Sequence, residues 1–295
     1  MTDATRTEPT KTKQIGQKQL GALVNLPMAK RLDHIAAGLP VLLSSAETLY
    51  AAREAVGATG RIGQILRGHA REEAAKIIIL LDYVRCPPGL SECAQRQLGV
   101  FYDHGSRLIY AQACGWKPVD IDMLRGYVDD RRVSHYVEGD YGEYILPNWE
   151  LYMREARLYA DLTRTDSGEL TWNDPDAWAD ELDIFGYAPT VLSVARSLSR
   201  AGAFTRDGLQ IVHDVWKATA FRSTEDHSRS TALIQETLKR LIEKGLPKDD
   251  ATDDDTRVIY SNWQMPMYDI DTKARIADLE TLRAEQASQL DAFYE

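Results

Sequence analysis

Closely spaced cysteine pairs are missing from this 295-residue chain. It holds three cysteines, Cys86, Cys93 and Cys114, with no CxxC among them. No zinc site and no disulfide framework can be read from that spacing. An odd count without metal-ligand spacing predicts reduced thiols in a cytoplasmic protein. Long apolar runs are also missing. The longest uninterrupted aliphatic stretch, Ile77 to Leu81, falls far short of the roughly 20 residues a membrane helix needs. The opening MTDATRTEPTKTKQ lacks the apolar segment of a signal peptide. Positive charge is in deficit, with 35 Lys and Arg against 45 Asp and Glu and a net charge of −10. That argues against a generally basic nucleic-acid-binding surface. No internal repeat is present. Metal, cofactor and membrane contact are therefore not expected.

What is present is ordinary globular material, 44% apolar and 27% charged, long enough to bury a sizeable core. Its centre is the stretch 61–85, RIGQILRGHAREEAAKIIILLDYVR, which reads as one long helix. With Leu66 at the middle of a face, Ala70, Ile77, Leu81 and Val84 fall within about 60° of it. Glu73 falls inside the same stripe. His69 and Glu73, like Glu72 and Lys76, stand four residues apart and can touch. A carboxylate in a core-facing stripe needs a partner, because burying it alone is costly. The cluster is either a structural ion-pair network or part of a site.

Residues 1–25 are polar and aperiodic and read as a disordered tail. A short helix near 30–37 is expected to break at Gly38-Leu39-Pro40, with another following over 40–56. One helix is predicted over 91–113 and another over 119–137. On the latter, Arg132 and His135 share the apolar face with Ile121, Leu124 and Val128, so they are expected to meet Glu73. Alternation over 157–163 and 169–172 around Asp166-Ser167-Gly168 predicts a small β-hairpin, after a short helix at 148–157. Further helices are expected over 177–183, 189–202, 205–221, 227–245 and 272–293. The acidic run 249–255 reads as a solvated linker and 257–268 as extended.

Three blocks carry a resemblance. They are SSAETLYAAREAV…GHAREEAAKIIILLDYVR, FYDHGSRLIYAQACGWKP and NWELYMREARLYADLTRTDSGELTWNDP, within 44–176. Together they resemble the AbiV-type abortive-infection proteins, bacterial phage-defence proteins with a HEPN-like helical domain. The most specific matches are Ala70, Glu72, Glu73 and Lys76, the pair His104 and Arg107, and the block from Arg157 to Pro175. The resemblance implies a mainly α fold, a four- to five-helix HEPN-like bundle with a small β-hairpin over 26–176. Residues 177–295 add a further helical region. It also implies a homodimer and a metal-independent RNase motif, an Arg followed four to six residues later by a His.

Arg222 and His227 fit that motif, and so do Arg206 and His213. Arg131 and His135 depart from it. The chemistry asks for such a pair. An arginine fork holds a phosphate, and an imidazole moves the proton of a ribose 2′-hydroxyl. Candidate catalytic residues are thus Arg222, His227, Arg132 and His135. The candidate polar cluster is His69, Glu72, Glu73, Lys76, His104 and Arg107. Two readings stay open. One is an anti-phage protein that cleaves RNA or blocks translation. The other is a non-catalytic helical protein that recognises a phage or host protein.

Overall fold

The structure, a computed structural model, describes residues 19–58, 60–139, 142–146, 148–164, 169–178, 188–222, 225–275 and 277–285. The first long helix, α1 (Met28–Val56), packs chiefly along α2 (Arg61–Arg85). The expected break at Pro40 does not occur; the proline is internal to α1. Leu32, Ile35, Leu39 and Leu43 form one buried row spaced for a single helical face. Burying four aliphatic side chains at about 1.5–3 kcal/mol each outweighs a proline penalty of about 3 kcal/mol. At the α1–α2 corner Gly57 has φ of 98°, and a Cβ on Gly63 would lie 2.2 Å from the Gly57 carbonyl oxygen. Only glycine allows that approach.

From Ala74 to Arg85 every residue of α2 except Lys76 is buried. The expected single helix over 91–113 is two, α3 (Ser91–Val100) and α4 (His104–Ala113). Asp103 makes the division by capping α4, accepting from Ser106 N at 2.7 Å. Then α5 (Ile121–Arg132), capped by Asp120, stops short of the predicted 137. His135 therefore opens a strand. β1 (His135–Gly139) pairs antiparallel with β2 (Gly142–Leu146), His135 opposite Leu146. α6 (Trp149–Leu158) follows its Asn148 cap. The expected hairpin is present, but its first strand starts later than the alternation over 157–163 suggested: β3 (Leu162–Arg164) pairs with β4 (Leu170–Trp172), and 157–158 are still helical.

Beyond a 3-10 turn at Pro175–Trp178 come α7 (Thr190–Arg200), α8 (Arg206–Trp216), α9 (His227–Glu243) and α10 (Asp253–Asn262). The chain is mainly α. Part of the stretch read as extended is the end of α10. The tail expectation also needs correction, because Leu20–Asn25 is a 3-10 helix with Leu23 buried. Residues 1–18 and 179–187, and the end of the 272–293 helix, lie outside the described residues; 279–285 is helical.

One apolar cluster runs from Leu23 to Ile270 and includes Val191, Leu198, Trp216 and Trp263. α7 packs on α2 and α10 on α7. The line drawn at 176/177 is thus no seam in the core. Arg85 lies deep within it, its guanidinium 4.6 Å from the ring centroids of both Trp216 and Trp263. It pairs with Asp82 and donates to Gln264 O at 2.9 Å. Asp82 also accepts from Tyr110 Oη and from Met267 N. By length and composition α1 is the one helix among the described residues apolar enough to cross a membrane; its Leu32–Ala46 row faces the core.

Candidate functional site

The carboxylate that the core takes in is Glu72, not Glu73. Glu72 sits on α2, 3% exposed. Three side chains from two other helices converge on it. From the N-terminal turn of α4, His104 Nδ1 lies 2.5 Å from Glu72 Oε2 and Arg107 Nη1 lies 3.3 Å from the same oxygen. From α6, Arg154 Nε donates to Oε1 at 2.9 Å. Burial works against ionisation of Glu72, but hydrogen bonds and charge from His104 and Arg154 outweigh it. The carboxyl is held below the usual glutamate range. With Nδ1 on the carboxylate, Nε2 is the ring nitrogen that Glu72 leaves for another partner. The imidazole is about half exposed, with 49% of its side chain accessible.

The local sequence explains the arrangement. Asp103 caps α4 through both Ser106 N and Ser106 Oγ, fixing His104 at its first position and Arg107 one turn on. Arg107 Nε is anchored on Phe101 O at 2.8 Å. Asn148 caps α6 by accepting from Leu151 N, and Arg154 follows on the same helix. Arg61 Nε and Nη2 hold the end of α6 to α2 through Arg157 O and Leu158 O.

On the α6 side of Glu72 lies a cleft of about 50 Å³, lined among others by Gln64, His69, Arg71, Glu150, Arg154 and Arg157. Arg71 Nη2 is 3.5 Å from Glu150 Oε2. Glu150 also accepts from the amide of Gln112. Glu73 instead pairs with Lys76, whose Nζ lies 5.6 Å from the Phe101 ring centroid.

The other sequence candidates lie elsewhere. The expected meeting of Glu73 with Arg132 and His135 is not made. Arg132 Nε contacts Asp129 at 2.7 Å and Nη1 contacts Asp271 at 2.9 Å, fastening the 271–275 segment to the end of α5. His135 lies on a strand. Charges on one helix face found partners on that helix and on the late chain segment, not on α2. Arg222 reaches Asp269 at 3.5 Å. His227 starts α9, its N–H on Val119 O. The alternative pair is split too, Arg206 bonded to Asp33 and buried His213 bonded to Val84 O. Among the described residues, Glu72 is bonded by His104, Arg107 and Arg154 and by none of these candidates.

The three cysteines are free and buried. Burial pushes the thiols of Cys86 and Cys114 up to about 12, so neither is a ready nucleophile.

Sequence reasoning missed Arg154, which α6 spacing pairs with Glu150 within its own helix. At 100° per residue Glu72 stands about 120° from Leu66, the centre of the apolar stripe, so periodicity alone sets it outside the core. That geometry misleads because α2 is covered on several sides. Comparison of the chain with protein-family models, with curated proteins and with solved structures gives no match.

Proposed function

We propose that this chain is an AbiV-type anti-phage protein with a HEPN-like bundle, acting in the bacterial cytoplasm by cleaving RNA through His104. The resemblance of three sequence blocks supports the family. One observation carries the chemistry, the 2.5 Å contact between His104 Nδ1 and a buried, ionised Glu72. An imidazole oriented by a carboxylate is a proton-transfer group. Nε2 of His104 takes the proton of a ribose 2′-hydroxyl. The 2′-oxygen attacks the adjacent phosphorus, the bond from phosphorus to the 5′-oxygen breaks, and that oxygen takes a proton from water. Glu72 stabilises the imidazolium formed. Arg154 helps hold Glu72 ionised, and Arg107 helps hold it in place.

The test replaces His104 by Gln in cells challenged with phage and in purified protein incubated with total RNA. Loss of both protection and cleavage is expected, with a fall in rate of about 10²–10⁴-fold. Wild-type protection in His104→Gln would overturn the reading.

The second reading is a non-catalytic protein recognising a phage or host protein. It is favoured by the full engagement of Glu72, on which Arg107, Arg154 and His104 all converge. That is also how a structural hub is built. On this reading RNA stays intact in every sample, and His104→Gln alters stability without altering protection at permissive temperature.

A further inference from the structure

Two apolar surfaces of this chain lie open near opposite ends of α2. The first is the β3–β4 hairpin. Leu162 pairs with Trp172, and Leu170 stands two residues before Trp172, so all three side chains share one face of the two-stranded sheet. That face is uncovered, with Leu162 at 48% exposure, Leu170 at 62% and Trp172 at 71%. Tyr159, 55% exposed, stands at the base, where the Asn173 amide donates to Ala156 O and Tyr159 O. These are four of the eleven large apolar side chains exposed among the described residues. They fall within 14 positions of a 295-residue chain and so form a patch rather than scattered singles. A two-stranded hairpin standing alone is marginal in water, and the apolar half of its alternation has met no core.

The second surface is a groove of about 570 Å³ between the Leu20–Asn25 3-10 helix and α1, lined by Leu23, Ile35, Val41, Leu42, Leu80 and Phe101. Gly38 keeps it open, since a Cβ there would meet nothing within 4 Å. Only 17% of the most apolar stretch of α1 is buried. No carboxylate lines the groove, and His34 does, whereas exposed Asp161 and Asp174 flank the hairpin. The two surfaces cannot meet within one chain. Arg61 ties the end of α6, from which the hairpin rises, to the start of α2. Leu80 lies 19 residues further along α2, about 28 Å at 1.5 Å per residue. Three-residue strands reach only about 10 Å. We propose that the hairpin of one copy fills the groove of a second copy, with Trp172 entering beside Gly38. The four side chains present on the order of 400 Å² of surface. One such contact hides roughly 800 Å² on the two chains together, and exchange in both directions within a two-fold pair reaches about 1,600 Å², the size of a stable interface.

The experiment is sedimentation of the purified full chain at concentrations rising from micromolar to millimolar. Wild type is expected to pair. Trp172→Ser removes the side chain that enters, and Gly38→Leu fills the space it enters. Both positions are open, so both variants are expected to melt like wild type. Each variant alone is expected to weaken pairing at least about thirtyfold, the weight of a hot-spot tryptophan. Mixed together, the two are expected to pair one to one, more weakly than wild type, because one retains the groove and the other the hairpin. A mixture that pairs no better than either variant alone would overturn the proposal. So would Gly38→Leu pairing as wild type while Trp172→Ser does not, the mark of a hairpin-on-hairpin contact. A monomeric wild type would overturn it too, and its flotation with phosphatidylcholine vesicles would assign the apolar surfaces to lipid instead.

Discussion

Arg200 and Asp255 face each other across the α7–α10 contact, with Arg200 Nε 2.9 Å from both carboxylate oxygens. Asp255 also accepts from Ser197 Oγ and from Thr252 N. The residue closes the acidic run 249–255 and is nonetheless buried, so it is not part of a solvated linker. Burial opposes its charge, and the hydrogen bonds from Arg200, Thr252 and Ser197 outweigh that, holding its carboxyl well below the usual range. Asp255→Asn should lower unfolding stability by about 2 kcal/mol, the worth of hydrogen bonds to a charged group. Urea unfolding at neutral pH measures it. A midpoint equal to wild type would show that α10 is held by apolar packing alone.

A carboxyl depressed on folding stabilises the protein above its unfolded pKa and loses that contribution as pH falls through its folded value. For Glu72, whose ordinary value is 4.5, the window lies below about pH 4.5. Glu72→Gln should cost about 3 kcal/mol at pH 7 and flatten this acid limb. Stability measured from pH 7 downwards tests both. Parallel curves for variant and wild type would rule out Glu72 as the titrating group.

Replacing Arg85 by Met keeps an unbranched apolar stem between Trp216 and Trp263 but leaves Asp82 buried without its cation. The expected loss is about 3–5 kcal/mol. The double variant Asp82→Asn with Arg85→Met should lose less than the two single losses added together. Additive losses in that cycle would mean the two side chains do not depend on each other.

Gly63→Ala places a methyl 2.2 Å from a backbone oxygen at the α1–α2 corner, where no flexible side chain can yield. A cost of about 1–3 kcal/mol follows, visible as a Tm lower by several degrees. Gly68→Ala, with open space around its Cβ, is the control and should leave Tm near wild type or raise it.

Helix existence was legible in the sequence wherever one face was apolar, as at 61–85, 189–202 and 227–245. The second strand was legible at 169–172, but most of the 157–163 alternation is the end of α6 and the link after it, with only Leu162 and Thr163 in β3. Boundaries failed for local reasons. Asp103 caps a helix inside what reads as one continuous stripe, and Pro40 is tolerated on the exposed side of another whose opposite face, Leu32 to Leu43, is buried. The site was half legible. Burial of a carboxylate on α2 could be inferred, but choosing Glu72 over Glu73 required knowing that α2 is wrapped. Partners 32, 35 and 82 residues away leave no trace in helical periodicity.

Arg85 and its carbonyl partner Gln264 are separated by 179 residues. On the ribosome, at about 5–20 residues per second, α2 emerges roughly ten seconds or more before the tryptophans and backbone groups that seal it. During that interval the Asp82–Arg85 pair lacks the cover of Trp216, Trp263, Gln264 and Met267. The nascent chain must therefore be shielded by a chaperone or remain loosely collapsed until the final fifth is made. A protein truncated after residue 176 is expected to aggregate rather than fold, so interrupted synthesis would yield no partly active product.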